Sequence, residues 1–107
     1  MIARVWQART SGPRTTARYR EVFEAEVLED LRGLTGFRGA YLLAREAGAW
    51  TEIRTLTLFE SLDTIRRFAG DDHERERVTS QARATLLDSV PAVQHFEVLT
   101  ASHPHRV

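Results

Sequence analysis

Four imidazoles, at His73, His95, His103 and His105, are the side chains of this sequence whose ordinary ionisation falls near neutrality, and there is no cysteine to share nucleophilic work with them. His73 lies in the run "AGDDHERER", where Asp71 and Glu74 have the spacing of a capping box and predict a helix start. In the first turn of a helix the dipole would hold this imidazole neutral and able to take a proton; the plainer reading is a solvated member of a charged run. His95 sits in "VQHFEVL" with Glu97 two residues on, so on a strand the carboxylate and the imidazole share a face. They read either as a second acid/base candidate or as a polar pair in a subunit interface. His103-Pro-His105 places two imidazoles close together without a third ligand or a supporting shell, and both read as bystanders rather than a metal site.

The elements that must position these groups follow from periodicity. Residues 2–9, "IARVWQAR", alternate as a strand, with Arg4 and Trp6 on one face. From an N-cap at Thr15 or Thr16, Tyr19, Val22, Phe23, Val27 and Leu31 recur at spacings of three and four, giving an amphipathic helix closed by Gly33. Residues 38–45 and 50–59 read as a hairpin across "EAGA", with Glu52 and Arg54 on one face of its second strand. Ser61 caps a helix whose Leu62, Ile65, Phe68 and Ala69 form a stripe ending at Gly70, and a further helical segment runs from Asp71 to about Ser89 before Pro91. Residues 92–100 form a last strand, followed by a polar tail at 101–107.

This order, β-α-β-β-α-β, is that of the ferredoxin-like fold, an α+β antiparallel sheet with helices on one face. The strands are apolar on both faces. Ala40, Leu42 and Ala44 oppose Tyr41 and Leu43; Leu56 and Leu58 oppose Ile53 and Phe59; Val93 and Leu99 oppose Phe96 and Val98. One face takes the helices, and the other predicts a second copy of the sheet, hence a homodimer. Lys+Arg and Asp+Glu balance at 15 each, so no overall field recruits nucleic acid or an acidic membrane surface. The chain has 42% hydrophobic and 28% charged residues, no apolar run of membrane-spanning length and no leader-like start, which predicts a cytoplasmic globular protein of one domain over residues 1–100.

Four stretches, "MIARVW", "LTGFRGAYLL", "LFESLDTIRRFAG" and "VQHFEVL", together resemble the antibiotic biosynthesis monooxygenase-like family of dimeric α+β barrels. The resemblance implies a ligand between sheet and helices, held by aromatic residues and by polar groups from the first strand, the third strand and the segment after the second helix. It implies a cofactor-independent monooxygenase acting with O2 on a small aromatic, phenolic or quinol-like metabolite, with His73 as base, His95 behind it, and Trp6, Phe68, Gln7 and Arg54 at the substrate. The alternatives are a non-catalytic small-molecule-binding or stress-associated dimer, or an isomerase or decarboxylase using His73 or His95. The sequence has no asparagine, so Gln7 stands as the nearest substitute for the asparagine that activates substrate in parts of the family. Phe68 stands where the haem-degrading branch has tryptophan, and Val78 near where that branch has its haem-ligand histidine, so haem is not expected.

Overall fold

The computed structural model describes residues 1–103. Its sheet is antiparallel, in the order β2-β3-β1, with the C-terminal strands on the far side of β1. Strand β1 (Ile2–Thr10) pairs along its whole length with β3 (Thr51–Phe59), and β3 pairs with β2 (Phe37–Glu46) across the expected hairpin. Strand alternation then sorts the side chains. Ile2, Arg4, Trp6, Ala8 and Thr10 lie on the helix side with their partners Phe59, Thr57, Thr55, Ile53 and Thr51; Ala3, Val5, Gln7 and Arg9 lie on the other side with Leu58, Leu56, Arg54 and Glu52.

Helix α1 (Pro13–Val22) starts two or three residues before the expected Thr15 or Thr16 cap. Pro13 supplies a preset φ where the missing N–H costs nothing, and the Thr16 hydroxyl donates to Gly12 O at 2.7 Å instead of capping. The helix passes through a π-helical turn, Phe23–Val27, into α2 (Leu28–Arg32), with Leu28 N–H reaching Phe23 O. Tyr19, Phe23 and Leu31 remain buried along one side.

Helix α3 (Leu62–Ala69) forms as its sequence requires: Ser61 Oγ accepts from Thr64 N at 3.3 Å, and Gly70 turns the chain out with φ 87°. Ile65, fully buried, packs with Leu31 and Phe59, and Phe68 lies against this cluster. Gly36 lies against Thr64 of α3; its φ is +95°, and a Cβ there would lie 2.5 Å from Thr64 Oγ1.

The segment after Gly70 departs from expectation. In place of a helix from Asp71 to Ser89 there is an irregular strand-like stretch, a single turn α4 (Ser80–Arg83) capped by Thr79, and a short strand β4 (Asp88–Ser89). The capping-box spacing of Asp71 and Glu74 is not used, because the backbone here bonds across the fold: Glu76 N donates to Pro91 O and Val93 N to Glu74 O. "DDHERER" offers no apolar stripe to bury, so tertiary pairing outweighs helix formation. The last strand is also shorter than residues 92–100: β5 (Gln94–Glu97) pairs with Ile2 to Val5, and the final bond, Val98 N to Met1 O, uses up the partner strand.

On the face away from the helices, Tyr41, Leu43 and Phe96 are about half exposed around Val5, Leu56 and Leu58. Among the described residues nothing covers it. No helix among them is long and apolar enough to cross a membrane.

Candidate functional site

Between the sheet and the helices lies a small, partly open cavity walled by Trp6, Tyr19, Phe23 and Phe68, with Thr55 and Thr57 from β3 and the guanidinium groups of Arg4 and Arg77. The rings follow one another: the Trp6 and Tyr19 centroids are 5.9 Å apart, and those of Tyr19 and Phe23 6.3 Å apart, in tilted contact. Trp6 is fixed by its indole N–H, which donates to Glu76 Oε2 at 2.8 Å. Burial acts to raise the Glu76 pKa, but hydrogen bonds from Ser89, Trp6 and Arg83 and the Arg83 charge outweigh it and hold this carboxyl below its usual range. Burial pushes the Tyr19 phenol well above its ordinary value, so it stays neutral.

Arg4 is 4% exposed. Its Nη1 donates to His73 O and lies 3.2 Å from His95 Nε2, and its Nη2 donates to Arg75 O at 2.8 Å. Burial, and then the charge of Arg77, pull its pKa down to about 10. Arg77 itself stacks over Phe68, 4.6 Å from the ring centroid, and pairs with Asp30 at 2.6 Å. The cavity's free volume is about 40 Å³, room for a few waters and well short of the ~300 Å³ of a typical ligand pocket. A wider open groove of about 430 Å³ lies next to it, between the helix and β2, lined by Leu28, Ala40, Leu42, Ala44 and Ile53; Phe23 lines both spaces.

The two histidines come together, but outside this cavity. Their ring centroids are 5.7 Å apart, at an open cleft of about 570 Å³ lined also by Leu62, Glu74, Phe96 and Glu97. His73 is in no helix, so no dipole acts on it; its Nδ1 meets Asp71 O at 3.1 Å, which as a donor contact leaves the Nε2 lone pair free. His95 lies on the helix side of the sheet, away from the open face, and its orienting neighbour is Arg4 rather than Glu97. A guanidinium can only donate, so His95 Nε2 accepts and the imidazole is neutral. Burial, with Arg4 and His73 adding to it, lowers its pKa.

The remaining expected residues divide by face. Trp6 and Phe68 line the cavity. Gln7 and Arg54 are register partners on the opposite face and cannot line it, because successive strand residues alternate sides. Arg54 and Arg45 both pair with Glu52, at 3.2 and 3.1 Å. Trp50 lies under Arg9 at 4.5 Å beside the hairpin turn. Among the described residues no cluster of three or more His, Asp or Glu side chains could hold a metal; His103 is exposed, and His105 lies outside the described residues. The sequence placed Arg4 only on the face of Trp6, without a role. The signal it carried was a charge at an inward position between Ile2 and Trp6.

Solved structures share this architecture. A monooxygenase of Streptomyces coelicolor, ActVA-Orf6, in complex with nanaomycin D, superposes with a TM-score of 0.71 at 22% identity, over 97% of this chain and 92% of that one. SnoaB, a cofactor-independent oxygenase from Streptomyces nogalater, gives 0.61 at 16% identity over 94% and 95%. The chain has the fold of these monooxygenases. A variant of MhuD with two manganese protoporphyrin IX bound per active site has the same fold, with a TM-score of 0.65 at 17% identity over 97% of this chain and all of that one. No family model and no curated protein matches the sequence. At these identities the likeness defines the monooxygenase fold, while activity depends on the site. The cavity as it stands, at about 40 Å³, is far smaller than a porphyrin, and His73 and His95 line the separate cleft rather than the cavity.

Proposed function

We propose that the chain is a cofactor-independent monooxygenase-type enzyme that holds a small phenolic or quinol-like ring between sheet and helices, working as a homodimer through its open sheet face. The observation that carries this reading is the convergence of Trp6, Tyr19, Phe23 and Phe68 on one cavity. Flat aromatic walls suit a flat apolar ligand, and a bound ring that fills the space between them would displace the water that could protonate it before it meets O2. In the overall reaction a ring C–H and a phenol O–H give a quinone: one oxygen atom enters the ring and the other leaves as water with the two hydrogens. A ring larger than a few waters needs more room, and displacement of Phe23 would join the cavity to the groove beside β2. The fold relationship to ActVA-Orf6 and SnoaB supports the same reading.

The homodimer is supported by the half-exposed Tyr41, Leu43 and Phe96 on the open face. A second reading, O2-independent acid/base catalysis by an isomerase or decarboxylase, draws on the His73 and His95 pair at the wide cleft. Oxygen uptake with a panel of phenols and hydroquinones separates the two. Uptake that survives His73→Ala and is lost in Phe68→Ala supports the cavity; turnover without O2 that is lost in His73→Ala supports the cleft. Ligand-induced thermal stabilisation with no turnover leaves the chain a binding protein.

A further inference from the structure

The Arg4 guanidinium is buried, lines the aromatic cavity, and among the described residues makes no salt bridge to a carboxylate; the charge of another cation, Arg77, acts on it. Three of its five N–H groups are accounted for by His73 O, Arg75 O and His95 Nε2. A purely structural clamp on the 73–75 backbone would need hydrogen bonds, which a neutral donor could make, and would not need a charge. Buried charges are found paired or bound to a counter-ion, because leaving one alone in low dielectric is costly. Here the missing counter-ion has a natural place in the cavity, where aromatic rings form the walls and Arg77 adds a second positive group held by Asp30.

We propose that this cavity takes its aromatic ligand as an anion, a carboxylate or an ionised phenol attached to a flat ring, and that Arg4 receives the anionic oxygen. This rests on the placement of the ligand in the reading above and names the ligand's chemical class. It also moves the task of making an electron-rich ring away from His73: a phenol bound beside Arg4 is held as its phenolate by the neighbouring charge, and its proton goes to solvent on binding.

The test uses binding alone, so it does not depend on oxygen chemistry. In a Trp50→Phe background Trp6 is the remaining indole, and its fluorescence is titrated with paired acids and neutral isosteres: benzoate against benzamide, and 2-naphthoate against 2-naphthamide. Each acid is expected to bind at least about tenfold tighter than its amide, and Arg4→Lys, which keeps the charge but loses the planar fork, to cut that preference to about threefold while leaving amide affinity within about twofold. Equal or tighter binding of the amides, binding of neither member up to millimolar concentration, or an acid preference untouched by Arg4→Lys overturns the proposal. Should Arg4→Lys fail to fold, the acid-to-amide ratio in the Trp50→Phe protein decides alone. Acid preference without oxygen uptake on any phenol leaves this inference standing and removes the monooxygenase; uptake without acid preference does the reverse.

Discussion

The Trp6 to Glu76 contact gives the sharpest energetic prediction. Trp6→Phe keeps an aromatic wall for the cavity but removes the indole N–H that donates to Glu76 Oε2 at 2.8 Å. The Glu76 side chain is only 15% exposed and retains Arg83 Nη2 at 2.5 Å, so water replaces the lost donor poorly while the carboxylate stays charged. A hydrogen bond to a charged group contributes about 1.5–3 kcal/mol, and the smaller ring gives up about another 1 kcal/mol of burial, so the substitution should cost about 3 kcal/mol. At about 4–8 °C per kcal/mol for a domain near this size, Tm falls by roughly 10–25 °C. Urea unfolding at fixed protein concentration, for Trp6→Phe, Glu76→Gln and the double variant, separates the two terms. Gln keeps an acceptor without the charge, so the cycle should show a coupling of about 1–2 kcal/mol. Additive losses within about 0.5 kcal/mol would mean that the indole N–H is hydrated and that Glu76 does not fix Trp6.

Three further outcomes are expected. Leu43→Glu with Phe96→Glu puts charges on the open sheet face and should convert a dimer into a 12.2 kDa species by light scattering; an unchanged dimer mass would place the interface elsewhere. The folded-state pKa of His95 lies below its ordinary 6.5, so the unfolded chain binds more protons in that window; the associated stability is complete above about pH 6.5 and is lost as pH falls through the folded pKa. The urea midpoint should therefore drop on acidification, and drop less in His95→Gln. Gly36→Ala should destabilise more than Gly70→Ala, since both have positive φ but only at Gly36 would a Cβ meet Thr64; the strain shared by the two is about 1–2 kcal/mol and the clash at Gly36 adds about 1–3 kcal/mol in urea unfolding.

The parts of the fold that read clearly from the sequence are those with local causes. The alternation of β1, the glycine-centred hairpin and the Ser61 cap each lie within a few residues of what they determine, and all three form. The stretch after Gly70 depends on distant partners: the Pro91 and Val93 backbone, and the Arg4 side chain bonded to the carbonyls of His73 and Arg75. No local pattern encodes those contacts, and a capping-box spacing among charged residues is weak without an apolar stripe behind it. The same holds for the site. Trp6 and Phe68 could be placed from their strand and helix positions, whereas the separation of His73 from the cavity follows from a loop path set by tertiary bonds. Gln7 was misplaced for a simpler reason, the strand alternation that makes neighbours of Trp6 face away from it.

That alternation gives β1 a double reading frame. Its even residues, Arg4 and Trp6 among them, face the helices and the cavity, while its odd residues, Ala3 and Val5, lie on the open face where we propose that a second copy docks. On the proposed function, ligand chemistry and self-association would be interleaved letter by letter in nine residues. Either message can change by substitution without touching the other, but a single-residue insertion or deletion within the strand would exchange them, setting a buried cation on the open sheet face and an alanine and a valine in its place in the cavity.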